Sequence, residues 1–108
     1  MKSYKNHKDF DKVVKILSRT SPKSPIKCQD LLEYINKRRF ILNYLVDSEL
    51  REIIHTIRKQ GVLPVISNHT GYYVSYEEEE IQKTYDSLMK RSFAIQEAAV
   101  ALKIHFLS

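Results

Sequence analysis

Asp47-Ser48-Glu49-Leu50-Arg51-Glu52-Ile53-Ile54-His55-Thr56-Ile57-Arg58-Lys59-Gln60-Gly61 is the stretch on which the reading of the fold turns. Leu50, Ile53, Ile54 and Ile57 recur at i, i+3, i+4 and i+7, which predicts a helix over about 48–60 with one apolar face. Asp47 or Ser48 can offer a side-chain oxygen to the unpaired N–H groups of its first turn, and Glu49 suits the positive end of its dipole. Gly61 stands where a helix-ending glycine belongs. Directly after it, Leu63-Pro64-Val65-Ile66-Ser67 and Tyr72-Tyr73-Val74-Ser75 flank the polar, glycine-ended run Asn68-His69-Thr70-Gly71, which predicts a β-hairpin.

Working back towards the N-terminus, Phe10, Val13, Val14 and Leu17 predict a helix over about 9–19. Thr20-Ser21-Pro22-Lys23-Ser24-Pro25 breaks it. Cys28, Leu31, Leu32 and Ile35 predict a second helix over about 28–37, and residues 38–46 either extend it or form a packed connection. Residues 1–8 carry Lys2, Lys5, His7 and Lys8 with no acid and read as a basic arm. Towards the C-terminus, Ser75-x-x-Glu78 reads as a capping box opening a helix that runs to about 104. In it Ile81, Tyr85, Leu88, Ser92, Ile95, Ala99 and Leu102 follow 4-3-4-3-4-3 spacing, a heptad seam with a polar break at Ser92. That seam pairs two chains, or folds back onto the N-terminal helices.

The fold class is therefore mostly α with a small β-hairpin: a basic arm (1–8), a winged helix-turn-helix domain (9–76) and a long C-terminal dimerisation helix (77–108). Three helices followed by a hairpin place the third helix in the major groove of DNA and the hairpin against the backbone or minor groove. At about 100° per residue, Ser48, Arg51, Glu52, His55 and Lys59 lie opposite the apolar stripe, with Thr56 and Arg58 beside them. Arg51 and Lys59 suit guanine edges or phosphates, and His55 or Thr56 softer contacts. Asn68, His69 and Thr70 at the hairpin tip suit phosphates. Dimerisation falls to Ile81, Tyr85, Leu88, Ile95, Ala99 and Leu102.

Pro25-Ile26-Lys27-Cys28-Gln29-Asp30-Leu31, Asp47 to Ile54, Ile57-Arg58-Lys59-Gln60-Gly61 and Pro64-Val65-Ile66-Ser67-x3-Gly71-Tyr72-Tyr73 resemble small winged-helix proteins of bacteriophages and prophages. The resemblance covers about residues 25–100 and is most specific over 47–73. It implies a cytoplasmic DNA-binding role in gene control or replication. Lys27 departs from the Ser, Thr or Asp common at its position, and Asn36 to Val46 is longer than the usual tight turn.

Composition narrows the function classes. The 108 residues fit one core, and the net charge of +5 divides unevenly. Residues 1–60 hold 14 Lys/Arg against 7 Asp/Glu, whereas residues 61–108 hold 4 against 6, so the basic part either faces a polyanion or is a solvated lysine-rich surface. Met1 to Lys5 lack the apolar run of a signal peptide. The single cysteine, Cys28, rules out an internal disulfide framework, fits a reducing cytoplasm and reads as a small buried apolar group. His7, His55, His69 and His105 lack metal-ligand spacing. No glycine-rich phosphate loop or nucleophile elbow occurs. The expectation is a non-enzymatic duplex-DNA-binding homodimer with no metal, cofactor, small-molecule substrate or membrane partner. The alternative is a protein-interaction module recruiting a replication or regulatory partner.

Overall fold

The computed structural model describes residues 3–107. The chain divides after Tyr76 into two compact units. In the first lie α1 (Phe10–Leu17), α2 (Cys28–Asn36), a single 3-10 turn (Ile41–Asn43), α3 (Asp47–Lys59), β1 (Val65–Asn68) and β2 (Gly71–Val74). The second is one helix, α4 (Glu78–Phe106). Among the described residues no helix is long and apolar enough to cross a membrane.

Apolar periodicity builds the first unit. Phe10, Val13 and Leu17 of α1, Leu31 and Ile35 of α2, and Leu50, Ile53, Ile54 and Ile57 of α3 meet in one buried cluster closed by Leu45 and Val65. Each such side chain contributes about 1.5–3 kcal/mol of burial. The cluster leaves α2 and α3 a fixed pair with the hairpin packed beside them.

Helix ends refine the sequence reading. α3 begins one residue earlier than expected, and neither Asp47 nor Ser48 caps it. Glu49 instead reaches back to accept the Val46 N–H at 3.2 Å. Its other end closes as a Schellman motif, with the Gly61 N–H on Arg58 O (3.1 Å), the Val62 N–H on Ile57 O (3.0 Å) and Gly61 at φ +66°. The Ser75-Glu78 capping box does not form. Ser75 is buried and its N–H meets Pro64 O at 3.3 Å, which lengthens the hairpin, while α4 opens after Glu77 without a side-chain cap.

Residues 38–46 do not extend α2; they form a connection that packs only through Leu45 and the Arg39 side chain. Asn36 closes their base: its Oδ1 accepts the Leu45 N–H (2.7 Å) and its Nδ2 donates to Leu45 O (2.9 Å), as a second strand would. Arg39 then grips Asp9 with both terminal nitrogens, at 2.6 and 2.8 Å. Only Leu45 turns inward, so Phe40, Ile41 and Leu42 stand in solvent, at 84, 76 and 95 % exposure.

The hairpin pairs Val65 with Val74 and Asn68 with Gly71, leaving His69-Thr70 as the loop. Among the described residues no non-glycine residue has positive φ, which excludes the primed turns that need it at the first loop position. The turn is built instead by Asn68, whose Oδ1 accepts the Thr70 N–H at 2.9 Å, with Gly71 following at φ +123°. Gly71 answers a second constraint that the sequence does not announce. Ile26 bridges Tyr72 through two 2.8 Å backbone bonds, and a Cβ on Gly71 would lie 2.5 Å from Ile26 O.

Gly71→Val is therefore expected to cost more than about 1 kcal/mol, through both backbone strain and the clash with Ile26. Denaturant unfolding checks this, and an unchanged midpoint would refute it. Asp9 gives a pH prediction. Its carboxyl is held below the usual range by the Arg39 hydrogen bonds, outweighing the opposing effect of burial. A depressed folded-state pKa stabilises the protein above the unfolded value of about 4, and that stability is lost as pH falls through the folded value. Asp9→Asn should thus cost on the order of 3 kcal/mol at neutral pH and much less near pH 2. A difference that stays constant across that range contradicts the assignment.

Candidate nucleic-acid interface

The surface of α3 is divided among three neighbours and the solvent. Leu50, Ile53, Ile54 and Ile57 face the core. On a second side, Glu49 and Thr56, with Gln60 just past the helix end, meet the N-terminal segment. There His7 Nε2 meets Glu49 Oε2 at 3.1 Å, the Tyr4 N–H donates to Thr56 Oγ1 at 3.1 Å, and Gln60 Nε2 donates to Ser3 Oγ at 3.4 Å. The Tyr4 and His7 rings stack at 5.7 Å. His7 Nδ1 accepts the Asp9 N–H, so the ring proton sits on Nε2 and points at Glu49. That bond and the Val46 N–H hold the Glu49 carboxyl below the ordinary glutamate value. The basic arm is thus a strap along α3 from Ser3 onward. Lys5 and Lys8 on it are exposed, and Lys2 lies outside the described residues.

Two members leave the expected DNA face, Thr56 through its bond to this strap. Thr56 is buried, its hydroxyl accepting from Tyr4 and donating to Glu52 O at 3.0 Å. Glu52, which would repel phosphate, has its Oε2 buried without a hydrogen-bond partner.

A third side of α3 holds the hairpin, through Arg58. Its Nε donates to Val65 O and its Nη2 to Ser67 Oγ, both at 3.0 Å, so this arginine is a brace between α3 and β1. Arg58 therefore also leaves the expected contact set.

What remains open is Ser48, Arg51, His55 and Lys59, all within roughly 60° of one line along α3 at 100° per residue. Ser48 and Lys59 are exposed and His55 is half-buried. Arg51 is 71 % exposed at its side chain and pairs with Asp47 at 3.0 Å. So exposed a pair is worth well under about 1 kcal/mol and exchanges readily for another anion. Asp47 also accepts the Cys28 thiol at 2.9 Å. Burial, then that carboxylate, push the thiol up to about 11, so it stays protonated. Cys28 is accordingly a half-buried donor locking α2 to the start of α3, rather than a fully buried apolar group.

At the hairpin tip, Asn68 turns inward on its own loop, with its Nδ2 also reaching the Tyr73 hydroxyl at 3.3 Å. His69 and Thr70 are exposed. Among the described residues no group of three His, Cys, Asp or Glu side chains converges to hold a metal. On α4 the expected seam is open: Ile81, Tyr85, Ile95, Ala99 and Leu102 are exposed and Leu88 is half-buried.

No family model matches the chain. No solved structure matches it either. Among curated proteins, NAD kinase of Streptococcus gordonii is 30 % identical over 94 residues, covering 75 % of this chain. The chain spans only about a third of that protein's length, 34 %.

Arg58→Ala should lower stability by about 1.5–3 kcal/mol, because a charged donor leaves two acceptors. Arg58→Lys should recover little of it, since an ammonium cannot make both bonds in the same plane. Hydrogen exchange of β1 amides relative to α1 reads the effect, and equal protection in all three proteins would show that Arg58 is not the brace.

Proposed function

We propose that this protein binds duplex DNA without catalysing a reaction, through a winged helix-turn-helix in which α3 enters the major groove and the hairpin is the wing. The observation that carries this reading is the selective opening of α3. Core, N-terminal strap and hairpin occupy its other sides, while Ser48, Arg51, His55 and Lys59 are left outward beside the exposed tip residues His69 and Thr70. Arginine and lysine on an exposed helix next to a hairpin supply base-edge and phosphate contacts. The surplus of 14 bases over 7 acids in residues 1–60 supplies the accompanying field. Two copies joined along the α4 seam would read a two-fold site. The resemblance to phage and prophage proteins points to gene control or replication in a cytoplasm.

The similarity to part of NAD kinase is not carried over as an activity. The chain has two glycines. Gly61 closes α3 and Gly71 faces the Ile26 carbonyl, so neither belongs to a glycine-rich loop that could cradle a phosphate.

A second reading has one observation in its favour. The exposed Phe40-Ile41-Leu42 run on its braced loop suits docking of a protein partner by an interaction module of the same fold. Salt dependence separates the two. DNA binding should weaken steeply with salt, by a slope of about 0.9 per phosphate contacted.

Lys59→Ala is expected to weaken binding to all duplexes alike and to flatten that slope by roughly one contact. Arg51→Ala should instead relax preference at one base pair, by about 1–3 kcal/mol. Fluorescence anisotropy at two salt concentrations measures both. Failure of the unmodified protein to bind duplex DNA at low salt would sink the proposal.

A further inference from the structure

From Met89 to Phe106 every residue of α4 is exposed, although the segment is rich in large apolar side chains. These fall on two stripes rather than one. The first continues the seam through Ile95, Leu102 and Phe106. The second runs through Met89, Phe93 and Val100, with Ile104 beside it; over Met89, Phe93, Gln96, Val100 and Lys103 it repeats the same four-and-three spacing, Gln96 and Lys103 being its polar members. Both are equally bare: Leu102 and Phe93 are each 63 % exposed. At 100° per residue the stripes lie roughly 110° apart around the helix. A two-stranded coiled coil covers only one stripe and leaves Phe93 and Val100 in water. Two stripes near a right angle match a helix that touches two neighbours, as in a four-helix bundle.

The charges of α4 select another copy of the same helix as the neighbour. Residues 78–106 carry five acids and four Lys/Arg, so neither a polyanion nor a polycation is favoured. The two ends differ: Glu77 to Glu80 open the helix, and Lys103 and His105 close it. Parallel copies would gather every acidic start at one end. Antiparallel copies set each acidic start beside a basic end, and like-charge juxtaposition is avoided. In that arrangement Tyr85 faces Leu102 and Leu88 faces Ala99, so apolar side chains meet along the seam and at its centre, Leu88/Ala99 and Ile95/Ser92, a large residue lies against a small one.

We propose that α4 assembles four copies of this chain into an antiparallel four-helix bundle, the first stripe joining pairs and the second joining the pairs to each other. This rests on the seam pairing put forward above and extends it. Sedimentation equilibrium of the full chain at tens of micromolar provides the test, with the mass of four chains expected. Phe93→Gln with Val100→Gln should halve that mass, leaving a dimer, since both side chains are already in solvent in the single chain and the helix does not depend on them. Orientation is read in a Cys28→Ser background by oxidising Leu102→Cys alone and mixed with Tyr85→Cys. A cross-link found only in the mixture is expected, because antiparallel pairing separates the two copies of residue 102 by roughly 25 Å. An unmodified dimer overturns the role of the second stripe and leaves the seam pairing standing. A monomer overturns both, and a Leu102→Cys self-cross-link overturns the antiparallel arrangement.

Discussion

The guanidinium of Arg58 is the joint on which the first unit's shape depends. It leaves the last turn of α3 and ends on Val65 O and Ser67 Oγ, so the hairpin cannot move without breaking two bonds from one rigid group. A two-stranded hairpin alone is marginal in water. Here the Arg58 brace holds one strand and the Ile26 bridge the other, and Thr20 adds a third tie. Its hydroxyl donates to Leu17 O at 2.6 Å and accepts the Val74 N–H at 3.0 Å, linking the end of α1 to β2. The hairpin's position is therefore set by helices on both sides rather than by its own four-residue strands.

The same device recurs wherever the chain leaves a helix. Asn36 imitates a strand partner for Leu45, Arg39 locks Asp9, and Cys28 donates to Asp47. Each tie joins segments between 9 and 30 positions apart and lies at the edge of the apolar cluster, where water is scarce but not excluded. Hydrophobic burial supplies most of the stability of so small a unit. The polar ties decide which of several similar packings is adopted. That is why a loop bearing Phe40, Ile41 and Leu42 in solvent can still have a defined course.

Legibility in the sequence divides along this line. α1, α2 and α3 follow from apolar spacing to within two residues at each end, and the hairpin from its β-rich runs and the glycine at its turn. Local periodicity could not show what lies over each face of α3. Projection gives an angle and not a neighbour, and the covers of Glu49 and Thr56 come from 42 and 52 residues away. Thr56 and Arg58 thus read as outward polar residues while in fact bracing the fold, and Asn68, though exposed, is engaged in building its own turn. The Ser75 capping motif failed for a related reason. The residue was already taken into the hairpin's end, so the helix had to begin later. Nothing short-range announces the Asn36–Leu45 clasp either, which is why the sequence leaves residues 38–46 open between a longer α2 and a packed connection.

These braces also change what the charges of α3 amount to. By composition the helix is balanced, with Asp47, Glu49 and Glu52 against Arg51, Arg58 and Lys59. Position removes the balance. Glu49 is held by His7 and the Val46 N–H, Glu52 has one carboxylate oxygen buried, and Asp47 is shared between Cys28 and Arg51. Arg58 is turned to the hairpin, but Lys59 is fully outward and Arg51 only loosely paired. Lys5 and Lys8 are added alongside by the strap. On the outward strip of a nominally neutral helix the bases, with Arg51 71 % exposed, therefore stand further out than the acids, with Asp47 at 48 % and Glu49 at 36 %. Tying the acids to the protein's own groups achieves this without any excess of bases in α3.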